Sequence, residues 1–217
     1  MASNESMDNT YTKNLTELRQ AYDHGADYRD QLPISPWKVK NRQRFLQRLQ
    51  QENKKRLLEI GAGAGHDGLF FQQAGLDVVC TDLSQEMVKR CQAKGLKAYQ
   101  ADFLSLREPA ETFDAIFAMN CLLHVASAEL PQVLKALARV LKPGGLFFLG
   151  AYAGDSEGIW PEDSHTPPRF FALRSEAAMK AFLTVDFELV DVQIIPLAQE
   201  DFQGFTLRKP LKKPLTS

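Results

Sequence analysis

LLEIGAGAG, Leu57 to Gly65, sets three glycines directly after an apolar run and just ahead of a segment with helical periodicity. Glycine lacks Cβ, so Gly61, Gly63 and Gly65 let the chain turn sharply and let a ligand lie against main-chain atoms at a helix N-terminus. A nucleotide-like ligand is the natural occupant; a turn that serves the fold alone is the other reading. Asp82 stands at the end of the next apolar run, about twenty residues beyond the turn, where a carboxylate accepts hydrogen bonds from both hydroxyls of a ribose. Its alternative role is to cap the helix that follows.

Outward from this turn the chain alternates short apolar runs with helical segments. The runs are 56–60, 77–81, 98–101, 115–119 and 146–150, separated by helical stretches over 65–74, 84–94 and 128–141 and by a loop or short helix around 104–109. Strands flanked by helices imply a parallel sheet covered on both faces, which explains why the runs are continuously apolar. The pattern predicts a doubly wound α/β core. Two helices, 11–24 and 36–50, precede it, joined by a turn-rich link over 25–33 that reads as a flap over a site. After Gly150 come a Gly-, Pro- and aromatic-rich stretch to Phe171, a helix over 175–183 and two strand-like runs, 187–195 and 202–208.

With 217 residues, 44% of them hydrophobic and 24% charged, the chain reads as one domain with modest extensions. Within it, residues 1–10 read as a flexible end, 11–50 as a helical cap, 55–150 as the ligand-binding core and 151–208 as a substrate loop with C-terminal strands. A net charge of -1 argues against a polyanionic partner, so no nucleic acid is expected. The basic cluster Arg208, Lys209, Lys212 and Lys213 reads as a solvated tail. No stretch approaches ~18 consecutive apolar residues and the N-terminus lacks an apolar leader, so neither a membrane nor secretion is expected. Three cysteines without a Cys-x-x-Cys pair fit reduced thiols in a cytoplasmic protein, and the four histidines show no metal-ligand spacing.

Dinucleotide binders favour G-x-G-x-x-G, whereas here Gly65 falls one position early and His66 takes the place of the third glycine. No tyrosine is followed four positions later by lysine, which further disfavours a nicotinamide oxidoreductase. The chain resembles the class I S-adenosylmethionine-dependent methyltransferases, in the broad small-molecule group called type 11 or type 25. The landmarks are LLEIGAGAG, VVCTDLSQEMV (78–88), QADF (100–103), FDAIFAMNCLLHV (113–125) and LKPGGLFFLG (141–150), in family order and at family spacing. The resemblance implies a Rossmann-like, mostly parallel seven-stranded sheet in the order 3-2-1-4-5-7-6 with the last strand antiparallel, and S-adenosyl-L-methionine as cofactor.

It further implies that Glu59 steadies the turn and that Gly61, Ala62 and Gly63 contact the methionine part of the cofactor. Asp82 would hold the ribose, Leu83 and Phe103 would pack on the adenine, Asp102 would meet the adenine amino group, and Asn120 would offer a backbone carbonyl. Leu83 and Phe103 serve a core equally well. The N-terminal AYDHGADY resembles the entry segment of the group, where a tyrosine covers the cofactor; Tyr28 is the first choice and Tyr22 the second.

Methyl transfer from a sulfonium asks mainly for alignment, so a sparse site is expected. If the acceptor must lose a proton, His124 is the candidate base, with orienting the substrate as its alternative. The stretch 152–171 should line the acceptor pocket, with Tyr152, Trp160 and Arg169 as substrate-binding residues and Arg169 free to clamp a carboxylate. A protein or RNA methyltransferase is the main rival, weakened because MNCLLH stands where nitrogen-methylating nucleic-acid enzymes carry an Asn/Asp-Pro-Pro-Tyr type sequence. A cofactor binder that performs no methyl transfer is the other.

Overall fold

The computed structural model describes the backbone over residues 4–212 and side chains over 14–212. The expected flexible end therefore lies partly outside the described residues, as does Lys213 of the basic tail. Helices α1 (Asn4–His24), α2 (Ala26–Gln31) and α3 (Pro36–Gln51) lead into the sheet. The link expected over 25–33 is thus mostly helical, closed by the Arg29 N–H to the Gly25 carbonyl at 3.0 Å.

Strands β1 (Arg56–Ile60), β2 (Asp77–Asp82), β3 (Lys97–Gln100), β4 (Phe113–Met119) and β5 (Leu141–Tyr152) alternate with α4 (His66–Gln73), α5 (Gln85–Ala93) and α6 (Leu130–Val140). Beyond them lie β6 (Ser156–Ile159), β7 (Phe170–Leu173), α7 (Glu176–Leu183), β8 (Glu188–Ile195) and β9 (Phe202–Arg208). The main sheet runs β3-β2-β1-β4-β5-β9-β8. The first five strands pair in parallel, and β9, the last in the chain, runs against both of its neighbours. Numbering only the strands of this sheet gives the expected order, 3-2-1-4-5-7-6.

Successive strand residues go to opposite faces, and both faces are covered. Leu57, Phe117 and Phe148 meet Phe45 and Leu49 of α3 and Phe71 of α4 on one side, with the Phe117 and Phe148 rings stacked at 5.0 Å. Leu58, Ile60 and Ile116 meet Val133, Leu134 and Leu137 of α6 on the other. Pro131 opens α6 at a position that needs no amide hydrogen, and the apolar spacing from Leu130 to Val140 turns one stripe inward.

Three segments differ in detail from the sequence pattern. β5 begins five residues early, at Leu141, because a register shift in β4 between Phe113 and Ala115 lets the Pro-Gly-Gly stretch stay alongside it. No helix forms over 104–109; instead Asp102 Oδ1 accepts the N–H groups of Leu104 and Ser105 at 2.7 and 2.8 Å and closes a turn. The stretch 152–171 contains most of a hairpin, in which Ser156 pairs with Leu173 and Ile159 with Phe170.

At Gly61 the backbone has φ +59, and a Cβ there would lie 2.3 Å from Cys121 Cβ. At Gly63, φ +55, a Cβ would meet nothing within 4 Å. Gly61→Ala is expected to cost roughly 2 to 6 kcal/mol, backbone strain plus overpacking, whereas Gly63→Ala costs only the strain, about 1 to 3 kcal/mol. Urea denaturation of the two variants checks the difference; equal losses would contradict the packing at Gly61.

Candidate functional site

The loop after β1 is pinned from β2. The Ala62 N–H reaches the Thr81 carbonyl at 3.0 Å, and the Gly63 N–H donates to Asp82 Oδ2 at 2.8 Å. The other oxygen, Oδ1, accepts the Ser84 N–H at 2.8 Å. Asp82 does not cap α5; Ser84 does, its Oγ accepting the Met87 N–H at 3.1 Å. Burial raises the Asp82 carboxyl, against the pull of these two N–H donors. Beneath the loop Glu59 is buried, accepts the Cys80 thiol at 3.3 Å and lies 2.5 Å from the point where a Cβ on Gly68 would sit. Burial, and after it the negative field of Asp67, raises its carboxyl well above the usual range.

Above the C-terminal ends of β1, β2 and β4 opens a cavity of about 350 Å³ with Gly61, Gly63, Asp82, Phe103 and Asn120 in its wall. Asn120 adopts φ +53 past β4, its N–H bonded to the Gly150 carbonyl at 2.8 Å, and its buried Oδ1 has no hydrogen-bond partner. The other expected cofactor residues do not line this cavity. Glu59 lies behind the loop, Ala62 packs against the core, Leu83 offers its carbonyl to Gln100, and Asp102 holds its own turn.

The roof comes from α1 and α2. Asp23 accepts the Ser84 hydroxyl at 2.5 Å, Arg90 pairs with Asp27, Lys94 reaches Asp30 at 2.7 Å, and His24 Nδ1 lies 3.0 Å from the Thr166 carbonyl. These contacts turn Tyr22 inward and leave Tyr28 outside, 70% exposed and away from the cavity. The side chain expected to cover the site is therefore on the surface, and its alternate lines the cavity.

Tyr22 belongs to a chain of polar groups that sequence spacing does not reveal. Its hydroxyl lies 2.7 Å from His124 Nε2, and His124 Nδ1 lies 2.7 Å from the Phe170 carbonyl. A carbonyl only accepts, so the imidazole proton sits on Nδ1 and Nε2 accepts the phenol hydrogen. Arg169 Nη1 donates to the same phenol oxygen at 3.1 Å. Its Nε and Nη2 are held by Asp163 in a two-point contact at 2.7 and 2.8 Å. Although burial raises the Asp163 carboxyl, the bonds from Arg169 hold it well below the usual carboxylate range. Arg169 thus already has its carboxylate. Two cations not singled out by the sequence reading, Arg29 and Lys38, also line the cavity, and neither side chain has an anionic partner among the described residues. Burial lowers the Lys38 ammonium, opposed by Asp67 nearby. Lone basic residues in a turn-rich link or a polar helix face carry no sequence signal that separates a cavity wall from a solvated surface.

A second cavity of about 430 Å³ adjoins the first and shares Tyr152, Arg169 and Phe171 with it; Trp160 lines this outer one. Among the described residues no group of three or more His, Cys, Asp or Glu could hold a metal ion, and no helix is long and apolar enough to cross a membrane.

Residues 57–145 match the model of a family described as a methyltransferase domain. A ubiquinone biosynthesis O-methyltransferase of Xanthomonas oryzae pv. oryzae is 34% identical over 101 residues, 43% of this chain and 41% of that protein. An S-adenosyl-L-methionine-dependent Diels-Alderase of Talaromyces variabilis is 35% identical over 104 residues, 43% of this chain and 35% of its own length. The match thus spans well under half of these relatives. Among solved structures, the Burkholderia thailandensis 1,6-didemethyltoxoflavin-N1-methyltransferase, with its substrate and S-adenosylhomocysteine bound, superposes with a TM-score of 0.71 at 20% identity over 92% of this chain and 90% of its own. The likeness extends the fold to the N-terminal helices and the C-terminal strands.

Burial pushes the His124 imidazole down to about 3. Above the ordinary imidazole pKa of about 6.5 the neutral ring is buried at no protonation cost. As pH falls from there towards about 3, the unfolded chain takes up a proton that the folded chain refuses, so stability is lost across that window. His124→Gln should flatten the fall of unfolding free energy between about pH 7 and pH 4.5, leaving the smaller contribution of His165, which shifts the same way. Denaturant titrations along that range check it; parallel curves for the two proteins would contradict a neutral buried ring.

Proposed function

We propose, for a chain that carries a class I S-adenosylmethionine-dependent methyltransferase domain over residues 57–145, an enzyme that moves a methyl group from S-adenosyl-L-methionine to a small-molecule acceptor by in-line displacement. One observation carries the reading: the left-handed turn at Gly61 and Gly63 and the buried Asp82 carboxylate are tied to each other and face one cavity.

The residues present fit that cofactor. Asp82 keeps lone pairs after accepting two N–H bonds, and these suit the ribose hydroxyls. Open space in front of Gly63 suits close approach to the backbone, and the unpartnered Oδ1 of Asn120 suits an ammonium donor. Arg29 and Lys38, without an ion pair among the described residues, suit a carboxylate. Phe103 offers a face for the adenine.

When bound, the cofactor supplies an activated methyl group on a sulfonium sulfur. The protein's part is then alignment, which contributes on the order of 7 to 11 kcal/mol when the geometry is held closely. Tyr22 is suited to aligning an acceptor, because its hydrogen is given to His124, Arg169 fills one acceptor position, and one lone pair remains for an acceptor X–H. His124, neutral and with both nitrogens engaged, orients Tyr22 and is poorly placed to take a proton directly. The covering role assigned to Tyr28 passes to Tyr22 in this reading.

The Diels-Alderase relative supports a second reading, in which the cofactor is bound but no methyl is transferred. A screen of small acceptors monitored by S-adenosylhomocysteine release separates the two: release supports methyl transfer, and tight cofactor binding without release from any acceptor supports the alternative. Asp82→Ala is expected to weaken S-adenosylhomocysteine binding by about 1.5 to 3 kcal/mol, the scale of hydrogen bonds to a charged group, as read by titration calorimetry. An unchanged affinity would sink the proposed ribose contact.

A further inference from the structure

The outer cavity differs in chemistry from the inner one. Three aromatic side chains line it, Tyr152 at the end of β5 and Trp160 and Phe171 from the hairpin, with Leu197 and Glu200 from the loop between β8 and β9. Trp160 stands edge-on to Phe171 with ring centroids 5.2 Å apart and is 39% exposed, so much of its indole is open to a guest. At about 430 Å³ the space is of the size that takes a small organic molecule.

Charge in this chamber is one-sided. The guanidinium of Arg169 is neutralised by Asp163 and rests against Phe171, 4.9 Å from the ring centre. Glu200 is half-buried and has no hydrogen bond or ion pair among the described residues. Its field reaches the Tyr152 phenol, which burial and then this carboxylate push upward. An electron-rich indole face and a lone carboxylate both favour positive or hydrogen-donating groups and disfavour anions.

We propose that the methyl acceptor is a flat, conjugated molecule with an N–H or cationic edge, held in the outer chamber against Trp160 with that edge on Glu200. Its reacting atom reaches past Tyr152 and Phe171, which line both chambers, to the inner one lined by Tyr22. The inference rests on the methyltransferase reading above for its inner chamber, and on Trp160 and Glu200 for its substrate class. Glu200 acts here as the specificity-determining residue.

Protein saturated with S-adenosylhomocysteine is titrated with three probes, 4-aminoquinoline, quinoline-4-carboxylate and cyclohexylamine, by calorimetry and by tryptophan fluorescence. The aminoquinoline is expected to bind at least about tenfold tighter than the other two. Trp160→Ala and Glu200→Gln should each weaken it by about tenfold, and Glu200→Gln should also erase the preference over the quinoline carboxylate. S-adenosylhomocysteine affinity should stay unchanged in both variants, which shows that they are folded. No binding of the aminoquinoline, equal binding of the three probes, or either variant without effect overturns this inference and leaves the cofactor reading standing. Failure of the wild-type protein to bind S-adenosylhomocysteine overturns both.

Discussion

A single carboxylate fastens the loop on which the inner cavity is built. Asp82 ends β2 and receives the Gly63 N–H on one oxygen and the Ser84 N–H on the other. The turn after β1 and the entry to α5 are thereby held to the same group, at the edge where parallel strands deliver their C-terminal ends. The loop can lie this close to the turn after β4 because Gly61 packs where any side chain would strike Cys121. Glu59, buried beneath it, fills the space that Gly68 leaves by having no Cβ. A buried carboxylate is costly unless its lone pairs are occupied, and the backbone donors of the turn offset that cost while leaving capacity for a ligand.

The second organising feature is the line from Asp163 through Arg169 and Tyr22 to His124 and the Phe170 carbonyl. It joins the hairpin, the first helix and the turn after β4, three parts of the chain far apart in sequence. Each member is satisfied by the next, so the tautomer of His124 and the direction of the Tyr22 hydroxyl are settled before any ligand arrives. Arg169, which in isolation reads as a clamp for a substrate carboxylate, spends its fork on Asp163. Its remaining flank instead forms part of the wall that the two cavities share, together with Tyr152 and Phe171.

Much of the fold was legible along the chain because burial on both faces of a parallel sheet leaves a local mark, the uninterrupted apolar run. β1 and β9 begin and end where that pattern places them, and the turn glycines announce the backbone conformation they later adopt. The short helix α2 was harder to see, since ADYRDQ has neither a side-chain cap nor an apolar stripe and is held by contacts to α5. The early start of β5 was hidden by Pro143 and two glycines, which the register shift in β4 accommodates.

By itself the sequence determined the alternation of strands and helices from β1 to β5, the turn at Gly61 and Gly63, and the placing of Asp82 beside it, because each depends on local chain stereochemistry or on neighbours one strand away. Tertiary structure alone decided which tyrosine enters the cavity, that Arg169 is already paired, that Arg29 and Lys38 face inward, and that Glu200, without a partner among the described residues, shares a cavity with Trp160. Those outcomes depend on how α1, the hairpin and the β8–β9 loop converge over the sheet. Side-chain direction at such a junction is set by contacts between segments more than a hundred residues apart, as between Tyr22 and His124, and no local pattern records it.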